Sequence, residues 1–297
     1  MQMTQSRVKS FFRGPAVSHA VKNIFQNPRF AIALVLALLF ALVYPKNKRP
    51  WLRNLFERVV FIQYKNWLGL YLYLIRSLGL SKSMDFQDLV VLYLQRYLAG
   101  DEFKSYLEIG AHDGLNKSNC YLLMEKSWIG VCVEPNPLTF VECKKNRPNA
   151  HVINAAFSSK ESGLKLRYFW PENCESNGTV VPEHKIASNP NSKFIDVDAV
   201  GIEEIAGFFP SKKIGYVSVD TEGGELEIVS YLLSNESLTV AVFTVEHNFD
   251  ELKRSALTQL FNEQGYVEIF NGLSRNDSIF IKNSLFPVNF FQPSSDQ

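Results

Sequence analysis

The first 56 residues contain no aspartate or glutamate, although they carry nine basic side chains (Arg7, Lys9, Arg13, Lys22, Arg29, Lys46, Lys48, Arg49 and Arg53). The whole chain of 297 residues has a formal charge of only +1, so the remainder holds 22 basic against 30 acidic residues. An acidic folded part argues against nucleic acid as its partner, and the basic end points to a membrane. The stretch 30–44, FAIALVLALLFALVY, lacks any charge or side-chain amide, and Pro45 with Lys46-Asn47-Lys48-Arg49 closes it. As a helix it would be about 22 Å long. That is short against a hydrocarbon core of roughly 30 Å, but workable with snorkelling flanks or a thinner bilayer. We expect a single-pass anchor over 30–45; a buried core helix and a cleaved signal peptide are the rival readings, the latter without a convincing cleavage site. Basic residues flank both ends, so the positive-inside rule gives no orientation.

Cysteine is scarce as well. Cys120, Cys132, Cys143 and Cys174 form no C-x-x-C pair, which excludes the usual zinc spacings and reports no redox compartment. Four N-x-[ST] sequons, at Asn116, Asn177, Asn235 and Asn276, lean toward a lumenal domain. Asn116 lies beside the glycine turn described below, where no glycan is expected.

With 46% apolar residues there is ample material for a full core. Residues 1–29 read as a basic tail, 30–45 as the anchor, 46–83 as a juxtamembrane stem, 84–283 as the main domain and 284–297 as a C-terminal tail. Within the stem, 51–80 mixes Trp, Tyr and Leu with basic residues, as suits a helix at a membrane interface or one packed on the domain. Leu89, Leu92, Tyr93 and Tyr97 recur at helical spacing over 85–99 and end at Gly100. From Ser105 onward, strands are expected at 105–109, 129–133, 150–155, 214–219, 239–245, 266–270 and 277–282. Helices are expected near 117–126, 137–145, 201–208, 224–233 and 251–263. Such alternation builds a mostly parallel sheet with helices on both faces. The short Asn271-Gly272 turn makes the last two strands an antiparallel hairpin. The segment 157–195, with Pro171, Asn173, Asn177-Gly178 and Pro182 and few regular signals, reads as a long insertion after the third strand, a lid or a substrate-facing loop.

Three acids fall at the ends of expected parallel strands: Glu108, Glu134 and Asp220. Ligands bind at that rim in open parallel sheets. Glu134 follows the turn Gly110-Ala111-His112-Asp113-Gly114 by about 20 residues, the place for an acid that accepts ribose hydroxyls. No G-x-G-x-x-G is present, and Asp113 stands where a pyrophosphate would approach, so a dinucleotide fits poorly. S-adenosylmethionine, a sulfonium with an amino group and no phosphate, suits Glu108 and Asp113; an acid that merely caps the next helix is the alternative. In Asp220-Thr221-Glu222-Gly223-Gly224-Glu225-Leu226-Glu227, Glu222, Glu225 and Glu227 either complement a helix dipole or belong to the site. Glu246-His247 ends the fifth large strand, and His247 is either a base for an acceptor hydroxyl or a satisfied loop histidine. Asp220, Glu222 and Glu246 have the oxygen chemistry to hold a divalent cation, although no metal is expected.

Taken together, several motifs resemble the FkbM methyltransferase family over roughly residues 85–283. They are Tyr106 to Gly114, Ser118-Asn119, Glu125-Lys126, Trp128 to Pro137, Arg147-Pro148, Asn154-Ala155-Ala156, Asp220 to Glu225, and Glu246. The resemblance implies a Rossmann-like class I methyltransferase fold, here a seven-stranded mostly parallel sheet with a C-terminal antiparallel hairpin plus an N-terminal transmembrane anchor. It also implies S-adenosylmethionine as cofactor and O-methylation, often of sugars. By it, Glu108, Gly110, Asp113 and Gly114 frame the methionine part, Glu134 the ribose and Ala155-Ala156 the adenine edge. Ala111, His112, Ser118, Pro135, Asn136 and Asp220 complete the expected cofactor set, and Asp220, Glu222, Glu246 and His247 the expected catalytic set. Two departures stand out: Gly224 where alanine is commoner, and an anchor that many soluble bacterial members lack. The expected protein is a single-pass membrane enzyme of the Golgi or secretory pathway that methylates a glycan or other hydroxyl-bearing acceptor. The rivals are a cytosol-facing methyltransferase of a small molecule, lipid or protein, and a non-catalytic trafficking protein like the Star-like insect proteins.

Overall fold

The computed structural model describes residues 81–159, 163–171, 178–180, 192–270, 274 and 276–287. The basic tail, the apolar run at 30–45 and the stem up to residue 80 lie outside the described residues, as do 288–297. Among the described residues no helix is long and apolar enough to cross a membrane. The fold below belongs to the unit Lys82–Gln297.

Seven strands form the main sheet: β1 (Ser105–Ile109), β2 (Ile129–Val133), β3 (Ala150–Ile153), β8 (Lys213–Val219), β9 (Thr239–Glu246), β10 (Tyr266–Ile269) and β11 (Asp277–Lys282). Their order is β10-β11-β9-β8-β1-β2-β3. Only β11 runs against its neighbours, pairing antiparallel with both β9 and β10. The inner strand β1, next to the middle strand β8, is buried at every position, as a strand covered on both faces must be. From β1 the chain runs outward through β2 and β3, then returns to pair β8 on the other side of β1. That reversal opens a crevice at the carboxyl ends of β1 and β8.

The covering helices are α1 (Gln87–Leu94), α2 (Tyr121–Glu125), α3 (Pro137–Asn146), α4 (Ile202–Ile205), α5 (Glu225–Ser234) and α6 (Glu251–Glu263). Proline at N1 and the Asn136 side chain, which accepts from the Leu138 N–H at 3.0 Å, start α3. Asp250 starts α6 in the same way, accepting from Leu252 and Lys253. The main core joins Leu107, Val131, Val217 and Phe243 of the sheet to Val229 and Leu232 of α5 and Leu257 and Phe261 of α6. Phe261 stacks on Phe280 at 3.9 Å and meets Phe243 edge-on at 5.1 Å, so β11 and α6 are locked by aromatic contacts.

Two sequence expectations change here. The helix expected from residue 117 begins only at Tyr121, because Lys117 is left-handed (φ 61) and Ser118 and Asn119 turn inward to bind Glu108. The segment read as an irregular insertion contains β4 (Ala156–Phe157), β5 (Lys165–Pro171), β6 (Thr179–Val180) and β7 (Ser192–Val200), a second sheet in the order β4-β7-β5-β6. Its alternation is plain once the register is known. Tyr168 and Val197 face inward, whereas Lys165 and Arg167 pair across the outer face with Asp198 at 2.6 Å and Asp196 at 3.2 Å.

Candidate active site

Three strand ends meet at Gly110. The Gly110 and Ala111 N–H groups both donate to the Val133 carbonyl, at 3.0 and 3.1 Å, and the Asp220 N–H donates to the Ile109 carbonyl at 3.0 Å. Gly110 has φ +83, and a Cβ there would stand 1.7 Å from the Asp220 carbonyl oxygen. No other residue fits, so β1 and β8 can close to this distance only through glycine. Above the crossing lies a cavity of ≈ 460 Å³. Of the residues expected from sequence, Glu108, Gly110, Ala111, His112, Ser118, Glu134, Pro135, Ala156, Asp220, Glu222 and Glu246 line it. Asp113, Gly114, Asn136, Ala155 and His247 do not.

Each exception has a local reason. The Asp113 carboxylate accepts from the Leu115 and Asn116 N–H groups at 2.9 and 2.8 Å and from the Asn116 side chain at 2.6 Å, so it serves its own loop. Burial opposes its ionisation, but those hydrogen bonds outweigh it and hold the carboxyl below its usual range. Gly114 gives room to Cys143 and Arg147, either of which a Cβ would meet within 3 Å. Asn136 is the cap of α3 and Ala155 belongs to the core. His247 is buried beside a separate small cavity with Arg254 and Glu268, and burial, helped by the Arg254 charge, lowers its pKa. Its Nδ1 has no hydrogen-bond partner. The histidine expected to act as base therefore stands away from the cavity that holds Asp220.

Glu108 reaches the cavity wall, but its carboxylate is already engaged. It accepts from Ser118 Oγ at 2.7 Å and the Asn119 N–H at 3.0 Å, and it pairs with Arg147 Nη2 at 2.8 Å, both side chains being almost wholly excluded from solvent. Glu108, expected to frame the methionine part of the cofactor, thus stands in the wall of the cavity with its carboxylate held by protein partners. Cys132 Sγ, at 3.9 Å from Oε2, fills the fourth position of Glu108, whereas Glu134 has three partners. Its Oε1 accepts from the Asn136 N–H and Thr139 Oγ1, both at 2.9 Å, and its Oε2 from the His112 N–H at 2.7 Å. A carboxylate has about four acceptor positions, so one remains on Oε2 for a ligand. Burial raises the Glu134 pKa against the pull of these hydrogen bonds.

Four further acids line the cavity near one another: Asp220, Glu222, Glu246 and Asp277. Oxygens of the first three lie within 4.8 Å of one another. Two carboxylates this close repel when both are ionised, and a proton held between Asp220 and Glu246 relieves that repulsion. Enclosure by protein, then the charges of Asp277 and Glu222, push Asp220 up to about 7. Enclosure, then Asp220 and Glu222, push Glu246 up to about 9. The Asn248 amide bridges Glu246 at 2.9 Å and Glu222 at 3.3 Å. Glu225, completely buried, accepts from the Gly223 N–H at 2.8 Å and pairs with Lys253 at 2.7 Å, which folds the loop that presents Glu222. Glu227 accepts from Ser159 at 2.6 Å and ties α5 to the end of β4. The spacing of Asp220, Glu222 and Glu246 suits a divalent cation, yet the shared proton already offsets part of their charge.

Sequence reasoning passed over Asp277, Gln87 and Tyr168, and it named Arg147 only as part of a motif, without its pairing to Glu108. Asp277 had a usable signal: β11 is antiparallel, so its first residue lies on the same rim as the last residues of the parallel strands. Tyr168 had none beyond its alternation with Arg167.

Residues 108–268 match the family described as Methyltransferase FkbM domain. No curated protein matches the chain. One similar solved structure is a methyltransferase FkbM from Methylobacillus flagellatus KT, at 11% identity and TM-score 0.38 over 77% of this chain and 57% of that one. The chain thus spans less than two thirds of that protein. Another is a TehB-like SAM-dependent methyltransferase from Corynebacterium glutamicum ATCC 13032 Kitasato, at 8% identity and TM-score 0.35 over 72% of this chain and 97% of that one. A third is the human methyltransferase 10 domain containing protein, at 14% identity and TM-score 0.37 over 72% of this chain and 94% of that one.

Proposed function

Because the chain belongs to the FkbM methyltransferase family, we propose that it transfers a methyl group from S-adenosylmethionine to a hydroxyl of a glycan, as a membrane-anchored enzyme of the secretory pathway. The family implies S-adenosylmethionine, which supplies a methyl group carried on a sulfonium cation. The residues present fit it. Gly110 leaves bare backbone at the strand crossing, Glu134 keeps an acceptor position for a ribose hydroxyl, and the acids that line the cavity offset a positive charge. In this reading Gly110, Ala111 and His112 hold the methionine end, Glu134 and Pro135 the ribose, and Ala156 with Phe157 and Leu166 the adenine.

The observation that carries O-methylation is the Asp220–Glu246 pair. A carboxyl held near neutral pH can take a proton from an attacking hydroxyl as the new C–O bond forms. Incubating the full chain with labelled S-adenosylmethionine and a panel of glycans tests this: label should appear on a glycan, and cofactor binding without any transfer would sink the glycan reading. Glu134→Gln should weaken S-adenosylhomocysteine binding about 10- to 100-fold in calorimetry, the worth of a hydrogen bond to a charged group. His247→Ala should leave turnover nearly unchanged, given where the side chain lies. Failure of the unmodified chain to bind cofactor even at millimolar concentration would favour the non-catalytic, Star-like role.

The membrane side of the proposal rests on the 30–45 run and the sequons. Asn116 and Asn276 line the cavity and should carry no glycan. Glycosylation mapping at Asn177 and Asn235 separates the orientations, since an occupied site requires lumenal exposure and empty sites on a membrane-inserted chain favour the cytosol-facing reading.

A further inference from the structure

One end of the cavity is built by two segments that flank the matched span 108–268. From the N-terminal side comes Gln87, the first residue of α1, only 1% exposed yet part of the cavity lining. From the C-terminal side comes Asp277, the first residue of β11. Gln87 Nε2 donates to Asp277 Oδ2, while Gln87 Oε1 accepts from the Asp85 N–H at 2.9 Å, so both ends of the amide are used. A second clasp runs beside the first. Ser274 Oγ donates to Asp85 Oδ2 at 2.7 Å and accepts from the N–H groups of Asp277 and Asn276 at 3.0 and 3.2 Å. The β11–β9 register then sets Asp277 opposite Glu246.

The result is a carboxyl placed next to the Asp220–Glu246 pair and held there by an uncharged amide. Among the described residues seven acids line the cavity, of which Glu108 is neutralised by Arg147, and the lysine or arginine of that lining is Lys117 alone. An acceptor that brings its own negative charge meets several acids without a basic partner among the described residues, whereas a neutral polyol meets hydrogen-bond acceptors.

We propose that Asp277, fixed in position by Gln87, binds the acceptor, and that this subsite selects uncharged hydroxyl-bearing groups over carboxylated or phosphorylated ones. The proposal rests on the reading of the cavity as a methyltransferase site. Asp277 makes the contact, and Gln87 is a positioning residue.

The test uses the full chain saturated with S-adenosylhomocysteine. Binding of neutral methyl glycosides, the matching uronic acids and the matching sugar phosphates is followed by ligand-observed NMR, and cofactor affinity by calorimetry. Neutral sugars should bind at least about tenfold more tightly than their anionic counterparts. Asp277→Asn and the shape-preserving Gln87→Met should each weaken neutral-sugar binding by about tenfold while S-adenosylhomocysteine affinity stays within about twofold. A merely structural role would move both ligands together, and that result overturns the proposal. So does binding of anionic sugars equal to that of neutral ones, or a chain that binds S-adenosylhomocysteine and none of the sugars. Failure to bind S-adenosylhomocysteine at all would instead bring down the methyltransferase reading, and this inference with it.

Discussion

Arg147→Met is expected to remove about 3–5 kcal/mol of stability, the usual cost of leaving a buried charge without its partner. The guanidinium is fully buried and every face is used: Nη2 on Glu108 at 2.8 Å, Nη1 on the Tyr106 hydroxyl at 3.1 Å and Nε on the Gly114 carbonyl at 2.5 Å. It also packs against the Tyr121 and Tyr106 rings at 5.3 and 5.7 Å. Methionine replaces the volume but strands the Glu108 carboxylate inside the wall of the cavity. For a domain of this size roughly 2–4 °C accompanies each kcal/mol, so the melting temperature should fall by about 6–20 °C. The double variant Arg147→Met with Glu108→Leu should recover much of the loss, because the penalty lies in the unpaired charge. Equal destabilisation of the single and double variants in urea titration would show that packing alone accounts for the arginine.

Asp220→Asn should lower turnover by about 10²–10⁴-fold, the range for removing a positioned general base. S-adenosylhomocysteine binding should survive, because the amide keeps the shape of the site. The pH dependence follows from the raised pKa values of Asp220 and Glu246, about 7 and about 9. In the unfolded chain such carboxyls lose their protons near 4. The folded state therefore holds more protons between about pH 4 and these values, and the contribution of the pair to stability declines as pH rises through them. Activity should move the other way and climb between about pH 6 and 8 as Asp220 becomes able to accept a proton. A sulfonium favours the ionised pair and a thioether does not. The preference for S-adenosylmethionine over S-adenosylhomocysteine should therefore grow with pH, by at most about tenfold per unit for one released proton. Calorimetry across that range that returned a constant ratio would place the cation away from these acids.

The large strands were legible because a strand buried on both faces is a mostly apolar run, as in Tyr106–Ile109, broken only by Glu108, and Ile214–Val219. Gly110 was legible for the same reason that it is irreplaceable: it follows such a run immediately. Residue roles were harder, since they depend on partners far along the chain. Glu108 looks free until Arg147, 39 positions later, is brought against it. Glu246 and His247 are neighbours at a strand end, and alternation sends neighbouring side chains to opposite faces, so only one of the two could face the cavity. The placing of Glu246 is set by the pairing of β9 with both β8 and β11, partners far along the chain. The small sheet was hidden because its alternating stretches are short and separated by Pro and Asn.

The pairing of β8 with β1 carries one more consequence, for the newborn chain. Tyr106 lies opposite Tyr216, a partner made 110 residues later. At about 5–20 residues per second, roughly 5–20 s separate the two during synthesis. Throughout that interval β1 has an open edge, and the Gly110 turn has no Asp220 carbonyl to close against. The wall around the Gly110 turn thus stays open until β8 is made, and a ribosome-bound chain should gain no affinity for S-adenosylhomocysteine before β8 has emerged.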